Sequence, residues 1–399
     1  MARAQWVPVV ACAWGFCAFF PLGILYLNAL LLLTVLASAP DLRVRLRRLR
    51  QRGVLIPILA VCAWTLVTLG FNPWFPDTAS RLFHVFRVAL VMAMGLMLSA
   101  REARLAMLGL MAGAAYALAV IIAHHAFGLP DWAIWSSLLT SRNNFSSGNM
   151  ITLATSSGIA LLFATDTGAA RARRGWLVFA LLTSAAVAFH AVSRNAQLLL
   201  LLLSLAVALF RFRSIKGVGF PLAVAVLLGA LVWKYSPTTQ SRFDEMMANI
   251  HAVERDANYV SSVGVRLRMY GLAMRSMADH PLVGTGVGSW LPYWRVAAQE
   301  LDRQQAPGEK QLSTINNPHN DFLLAGMETG LPGLLLLVWL VAYFVLAGWR
   351  RRSTPGGVLF VLGLSVFFTT LFNAPFRDAA FGMTLLWLMA ASMALNEQA

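Results

Sequence analysis

The side chains best suited by type and position to do chemistry are three arginines and a histidine. Arg266 sits in the segment Gly264–His280, which has helical periodicity. At 100° per residue it falls with Met269, Tyr270, Ala273 and Met277, the one charge on an otherwise apolar stripe, while Arg268 falls with Arg275 and Asp279 on a wet face. A guanidinium grips a phosphate through two parallel hydrogen bonds. It can equally snorkel at the headgroup level while its stem packs, so both readings of Arg266 stand. Arg194, in Ser193-Arg194-Asn195, closes an apolar run one turn after His190, a place for an anion or for an interfacial anchor. Arg87 lies about two turns inside another apolar run, where an isolated charge costs roughly 2.5–3.5 kcal/mol at the bilayer centre and less near its edge. A salt bridge, a carbonyl or a lipid phosphate must meet it.

The histidine is His319, in the stretch Asn316–Asp321. An asparagine cap, Pro318 at the first position and Asp321 in the first turn predict a helix start that puts His319 in the first turn. Free N–H groups and the positive dipole end there attract anions and keep an imidazole neutral, able to accept a proton. A capping or packing role is the plainer alternative. The helix is expected to end at Gly330, with Pro332 starting the next apolar run.

Other chemistries find little support. Glu254 with Asp256, and Glu300 with Asp302, imitate paired metal-binding acids, but residues two apart on a helix point away from each other. His124 and His125 are adjacent and share no helical face. No Walker loop, HExxH, GxSxG or CxxC motif occurs, and Pro281–Gly288, although glycine-rich, follows a helix and reads as a turn. No metal and no cofactor are expected.

The elements that must position these residues are membrane spans. The chain has 399 residues, of which 58% are hydrophobic and only 12% charged. That excess of apolar side chains has no soluble core to fill, and the scarcity of charge excludes a disordered chain or an ordinary nucleic-acid binder. About twelve apolar runs of spanning character follow one another: Trp6–Phe20, Leu22–Ala39, Val54–Phe71, Leu82–Ser99, Leu105–Gly128, Ile151–Thr165, Trp176–Ser193, Ala196–Phe210, Gly219–Tyr235, Leu331–Trp349, Val358–Phe372 and Phe381–Leu395. Cys12, Cys17 and Cys62 lie inside such runs and imply no disulfide.

Eighteen of the 32 basic residues fall in connections and ends on one side, six of them between Arg43 and Arg52, against six on the other. The richer side is expected to be cytoplasmic, with both termini there, so the net charge of +15 is a topology signal and no sign of a nucleic-acid partner. The domain organisation expected is a membrane part over 1–235, a large non-cytoplasmic helical loop over 236–330, and a closing membrane part over 331–399. The loop carries ten of the 17 acids and three of the seven histidines, and connections of this size are uncommon unless functional.

With these residues in place the chain resembles the bacterial O-antigen ligases, within the wider group of O-antigen polymerases and protein O-oligosaccharyltransferases. The resemblance covers the topology of the whole chain. Its sharpest motifs are Ser193-Arg194, the stretch from Arg266 through Tyr270 to His280-Pro281 and Gly284, and Pro318-His319-Asn320 followed by Glu328, Gly330, Pro332 and Gly333. Asn195 stands where a small residue is common in the family, and Tyr270 where tryptophan is frequent.

The resemblance implies an all-α, GT-C-like polytopic protein of the bacterial inner membrane. It also implies a metal-independent, inverting transfer of polysaccharide from undecaprenyl diphosphate to a sugar hydroxyl of lipid A-core on the periplasmic face. On that reading Arg194 and Arg266 hold the diphosphate, Arg87 is a further candidate for it, and His319 is the general base on the acceptor. A polymerase or a protein oligosaccharyltransferase is the alternative within the group. A lipid-linked glycan flippase is the rival from another class; it would gather polar residues near the midplane and show repeat symmetry, whereas here they collect in one loop and at span ends.

Overall fold

The computed structural model describes residues 6–129, 139–141, 144–191, 193–212, 261–303, 305 and 311–398, with scattered positions between 219 and 251. Most of the expected span Gly219–Tyr235 and the pair Glu254 and Asp256 lie outside the described residues.

The described chain is helical apart from a small hairpin of Leu139–Ser141 with Asn144–Phe145. In chain order the helices are α1 (Trp6–Phe16), α2 (Leu22–Ala37), α3 (Leu42–Gln51), α4 (Leu55–Thr68), α5 (Thr78–Leu96), α6 (Ala100–Phe127) and α7 (Ser147–Asp166). They continue with α8 (Ala170–His190), α9 (Arg194–Phe212), α10 (Ser262–Asp279), α11 (Trp290–Arg303), α12 (Asp321–Arg350), α13 (Thr354–Phe372) and α14 (Gly382–Ser392).

Among the described residues seven helices, α5 to α9, α12 and α13, are long and apolar enough to cross a membrane, and the chain is a multi-pass membrane protein. Twelve runs were expected to span. Three of them form shorter apolar helices, Trp6–Phe19, Leu55–Thr68 and Gly382–Leu395, and α2 meets α3 across a bend of 108°. Local causes shorten them. α1 tightens into a 3-10 turn at Cys17–Phe19 ahead of Pro21, and α14 is buried on every side, as suits a core helix that meets little lipid.

α14 organises the bundle. Trp387 stacks face to face on Trp14 of α1, centroids 4.3 Å apart and planes within 5°, and the Trp14 indole donates to the Thr384 hydroxyl at 3.2 Å. α1 in turn lies against α6 at glycine contacts. A Cβ on Gly109 would strike the Cys12 carbonyl, so the two backbones touch as small residues allow in membrane helix pairs. At the start of α6, Glu102 closes a capping box with Ser99 and receives two hydrogen bonds from Arg45 of α3, each 2.7 Å. This buried pair holds the arginine-rich α3 across the end of α6.

α12 is two helices in one element. Gly330 (φ 74°, ψ −177°) breaks the helical path, and the segment Asp321–Thr329 before it is the piece that carries the site. Positive φ makes glycine the fitting residue there, and a Cβ would collide with the Leu282 and Pro281 carbonyl groups. The glycine-rich Pro281–Gly288 is indeed a turn, and it grips this break. Thr285 N–H donates to Met327 O (2.8 Å), Gly286 N–H to Glu328 O (3.1 Å), and Leu331 N–H to Pro281 O (2.8 Å), while Trp64 donates to Thr329 O at 2.8 Å. Carbonyls left open at the helix end are thus satisfied by the loop and by α4.

Candidate active site

His319 stands immediately before α12. Asn320 takes the cap, its side chain accepting from Leu323 N–H at 3.0 Å, so His319 is one residue outside the helix and not in its first turn as expected. The reason is a competition between asparagines. Asn317 uses its side-chain oxygen to accept from His319 N–H (2.8 Å), which turns the chain early and leaves Pro318 and His319 ahead of the helix. Among the described residues His319 is the one non-glycine with positive φ, at 53°. A backbone in the left-handed region is uncommon for a residue with a side chain, although His enters it more readily than most, and such positions recur at functional sites.

Two groups act on that imidazole and a third on the residue beside it. Asn373, which caps the end of α13, hydrogen-bonds it from one side; Arg266 acts on it from α10; and Tyr270, one turn on from Arg266, hydrogen-bonds the adjacent Asn320. Burial, helped by the positive charge of Arg266, pushes the His319 pKa below its ordinary value, against the Asn373 contact, which raises it. The imidazole is therefore neutral at neutral pH and free to take a proton. Tyr270 is moved the opposite way, its phenol raised by burial, and stays protonated.

The helix wheel was only half right for α10. Its inward stripe is Val265, Met269, Ala273 and Ser276, and Arg266 and Arg268 flank that stripe at about 65° and about 95° from its centre. Arg266 is exposed on the His319 side, and Arg268, expected on the wet face, is half-buried. Arg194 opens α9 where it was expected to close the preceding run. Its neighbours tie it to the same place: Ser193 accepts from the Ser147 hydroxyl (2.8 Å), and Asn195 donates to the carbonyl of Phe372, next to Asn373 (3.2 Å). The start of α9 is thus joined to the end of α13, which carries Asn373.

Arg87 is placed elsewhere. Its guanidinium is buried and donates to the Tyr26 hydroxyl (3.0 Å) and to the carbonyls of Arg377 (2.8 Å) and Phe376 (3.4 Å), so it fastens the connection between α13 and α14, with its Nε buried and unpartnered. The carbonyl partner, one of its three possible solutions, is the one realised.

The more consequential cation is Arg81, one of the six basic residues in the connections and span ends of the side poorer in positive charge. Buried to 5% exposure, it pairs with Glu328 at 3.1 Å and donates to Asn316 O at 3.0 Å. Glu328 also accepts the backbone N–H groups of Gly288 and Trp290. Arg377 donates to the same Asn316 carbonyl; burial and the nearby Arg81 hold its pKa down to about 10, so it remains charged. Two guanidiniums therefore fix the chain three residues ahead of His319. The signal available in sequence was a lone acid, Glu328, in an apolar stretch, which demands a cation without saying which.

Among the described residues no group of three His, Cys, Asp or Glu side chains is gathered as a metal site. Glu300 pairs with Arg303 (2.8 Å), while Asp302 accepts from Leu312 N–H (2.6 Å), so the two carboxylates serve separate partners.

Residues 179–338 match the family model described as O-Antigen ligase, and the match supports the O-antigen ligase superfamily for this chain. The matched stretch runs from α8 into α12 and contains Arg194, Arg266 and His319, leaving Arg81, Asn373 and Arg377 outside it. No curated protein sequence matches the chain.

Proposed function

We propose that this protein is an O-antigen ligase that transfers a polysaccharide from undecaprenyl diphosphate to a sugar hydroxyl of lipid A-core on the periplasmic face of the inner membrane. The observation that carries this reading is His319, set ahead of α12 at φ 53°, hydrogen-bonded to Asn373 and within the field of the Arg266 charge. In the reaction the acceptor oxygen attacks the anomeric carbon, the bond from that carbon to the diphosphate oxygen breaks, and the hydroxyl proton passes to the His319 imidazole. The charge that develops on the departing diphosphate is neutralised by Arg266 and Arg194, so neither a proton donor nor a divalent cation is required at the leaving group. A single displacement of this kind inverts the anomeric centre. Asn373 and Asn320 are positioning residues: one holds the imidazole, the other fixes the helix start behind it.

The test is single-turnover transfer from purified lipid-linked donor in the presence of EDTA. Wild-type protein should be active and His319→Ala should lose transfer while still binding donor. An active alanine variant would leave His319 a turn residue, and loss of wild-type activity on chelation would overturn the metal-free step. Carrying the reaction with a carrier-linked chain in place of lipid A-core as acceptor separates ligase from polymerase.

A further inference from the structure

The arginine-rich α3 takes no part in the transfer proposed above, and its two flanks are built differently. It meets α2 at 108° and so runs across the end of the bundle, against the start of α6. Leu42, Leu46 and Leu49 form its apolar stripe, within about 60° of arc, and Leu49 packs into the main core. One flank of that stripe is spent on protein. Buried Arg45 takes up both nearby carboxylates, Asp41 at 2.9 Å and Glu102 at 2.7 Å, and Arg48 beyond it donates to the carbonyl of Met97 at 3.1 Å.

The other flank is open. Arg43, Arg47 and Arg50 lie within about 60° of arc and about 10 Å of rise, all three are exposed, and among the described residues no carboxylate pairs with any of them. Leu46, 39% exposed, sits beside them at the edge of the apolar stripe. Three positive charges whose local acids are bound elsewhere attract an anion, while the open leucine next to them calls for hydrocarbon. A phospholipid presents both together, phosphate outward and acyl chain inward, and a guanidinium can grip the phosphate through two parallel hydrogen bonds while its stem packs on the apolar side.

We propose that this face of α3 docks on anionic phospholipid in the leaflet at its end of the bundle, with phosphates held by Arg43, Arg47 and Arg50 and an acyl chain against Leu46. An acidic protein would match the charge as well, but α3 lies at the level where Leu49 enters the apolar core of a membrane bundle, which is the depth of an interfacial amphipathic helix. A topology signal is carried alike by every basic residue on a side, whereas a docking face is carried by these three alone. The surface is independent of His319 and of the transfer chemistry.

The test attaches a fluorophore at Leu46→Cys in the full-length protein, with Cys12, Cys17 and Cys62 replaced by alanine, in phosphatidylcholine nanodiscs. Quenching by phosphatidylglycerol spin-labelled on its acyl chain is compared with quenching by phosphatidylcholine labelled in the same way. An arginine near an anionic surface is worth about fivefold in affinity, roughly a hundredfold for three, so the relative association constant should favour phosphatidylglycerol by at least about tenfold. Arg43→Gln/Arg47→Gln/Arg50→Gln should abolish that preference. Arg171→Gln/Arg173→Gln/Arg174→Gln, which removes as much charge from exposed positions at the start of α8, should keep it. Equal quenching by the two lipids would make α3 a neutral boundary, and quenching by neither would put this face in water or under a protein; either result overturns the proposal. So would a preference that survives in the α3 variant, or one lost equally in the α8 variant, which would make it a property of net charge.

Discussion

Removing Glu328 should cost the fold several kcal/mol, and the size of the effect follows from its contacts. The Arg81 guanidinium stands 3.1 Å from the carboxylate with both side chains nearly inaccessible. At that distance the attraction is about 5 kcal/mol at an effective dielectric constant of about 20, most of it spent on desolvating the two ions. Breaking such a pair from one side leaves a buried charge and typically costs about 3–5 kcal/mol. Glu328→Met also strands the N–H groups of Gly288 and Trp290, each worth about 1 kcal/mol or more. The single variant should therefore lose at least about 4 kcal/mol, whereas Arg81→Met/Glu328→Met should recover the ion-pair part and keep the smaller loss from the two amides. The assay is denaturation in mixed micelles, read as a double-mutant cycle over wild type, the two singles and the double. A Glu328→Met protein within about 1 kcal/mol of wild type, or a coupling below about 0.5 kcal/mol, would refute the reasoning.

The remaining predictions concern the reaction and its frame. Arg266→Ala should abolish transfer and Arg266→Lys should impair it by removing the planar fork, while Arg268→Ala should stay within about 1 kcal/mol of wild type in kcat/KM; equal losses in the two alanine variants would break the assignment. Transfer should rise with pH through an apparent pKa below about 6.5, because the neutral imidazole is the active form and His319 is shifted downward. At whatever residual rate remains, Arg266→Gln should move that limb up and Asn373→Ala should move it down; a profile that ignores both would remove His319 from the titration. Gly330→Ala should destabilise by several kcal/mol, since the added methyl meets backbone that side-chain rotation cannot clear, and an unfolding temperature equal to wild type would contradict the packing. A membrane-impermeant thiol reagent should label Arg303→Cys from the periplasm and spare Arg47→Cys in intact spheroplasts; the reverse pattern would invert the topology.

Much of the frame could be read from local sequence, because a membrane helix and its ends announce themselves within twenty residues. The break before Pro332 and the turn at Pro281–Gly288 were of this kind. The position of His319 was not, since Asn317 and Asn320 are equally good caps on paper and the choice depends on which one the rest of the fold leaves free. Arg266 was found by periodicity, yet its relation to Arg268 was misplaced because the inward stripe is centred on Val265 and Ala273 and not on Arg266 itself. Arg81 and Glu328 are 247 residues apart, and Asn373 reaches His319 from another helix. No local pattern encodes such meetings, which exist only once the helices have packed.

The stacked tryptophans put a clock on biosynthesis. Trp14 finds its hydrogen-bond partner 370 residues later in the chain, in the last apolar helix. At about 5–20 residues per second, a ribosome needs roughly 20–75 s to supply it. Throughout that interval α1 can lie on α6, which emerges early, but the indole N–H has no Thr384 to bind and no Trp387 to cover its face. α1 is thus finished only after α14 has been made, and a chain stopped short of α14 leaves Trp14 without its partners.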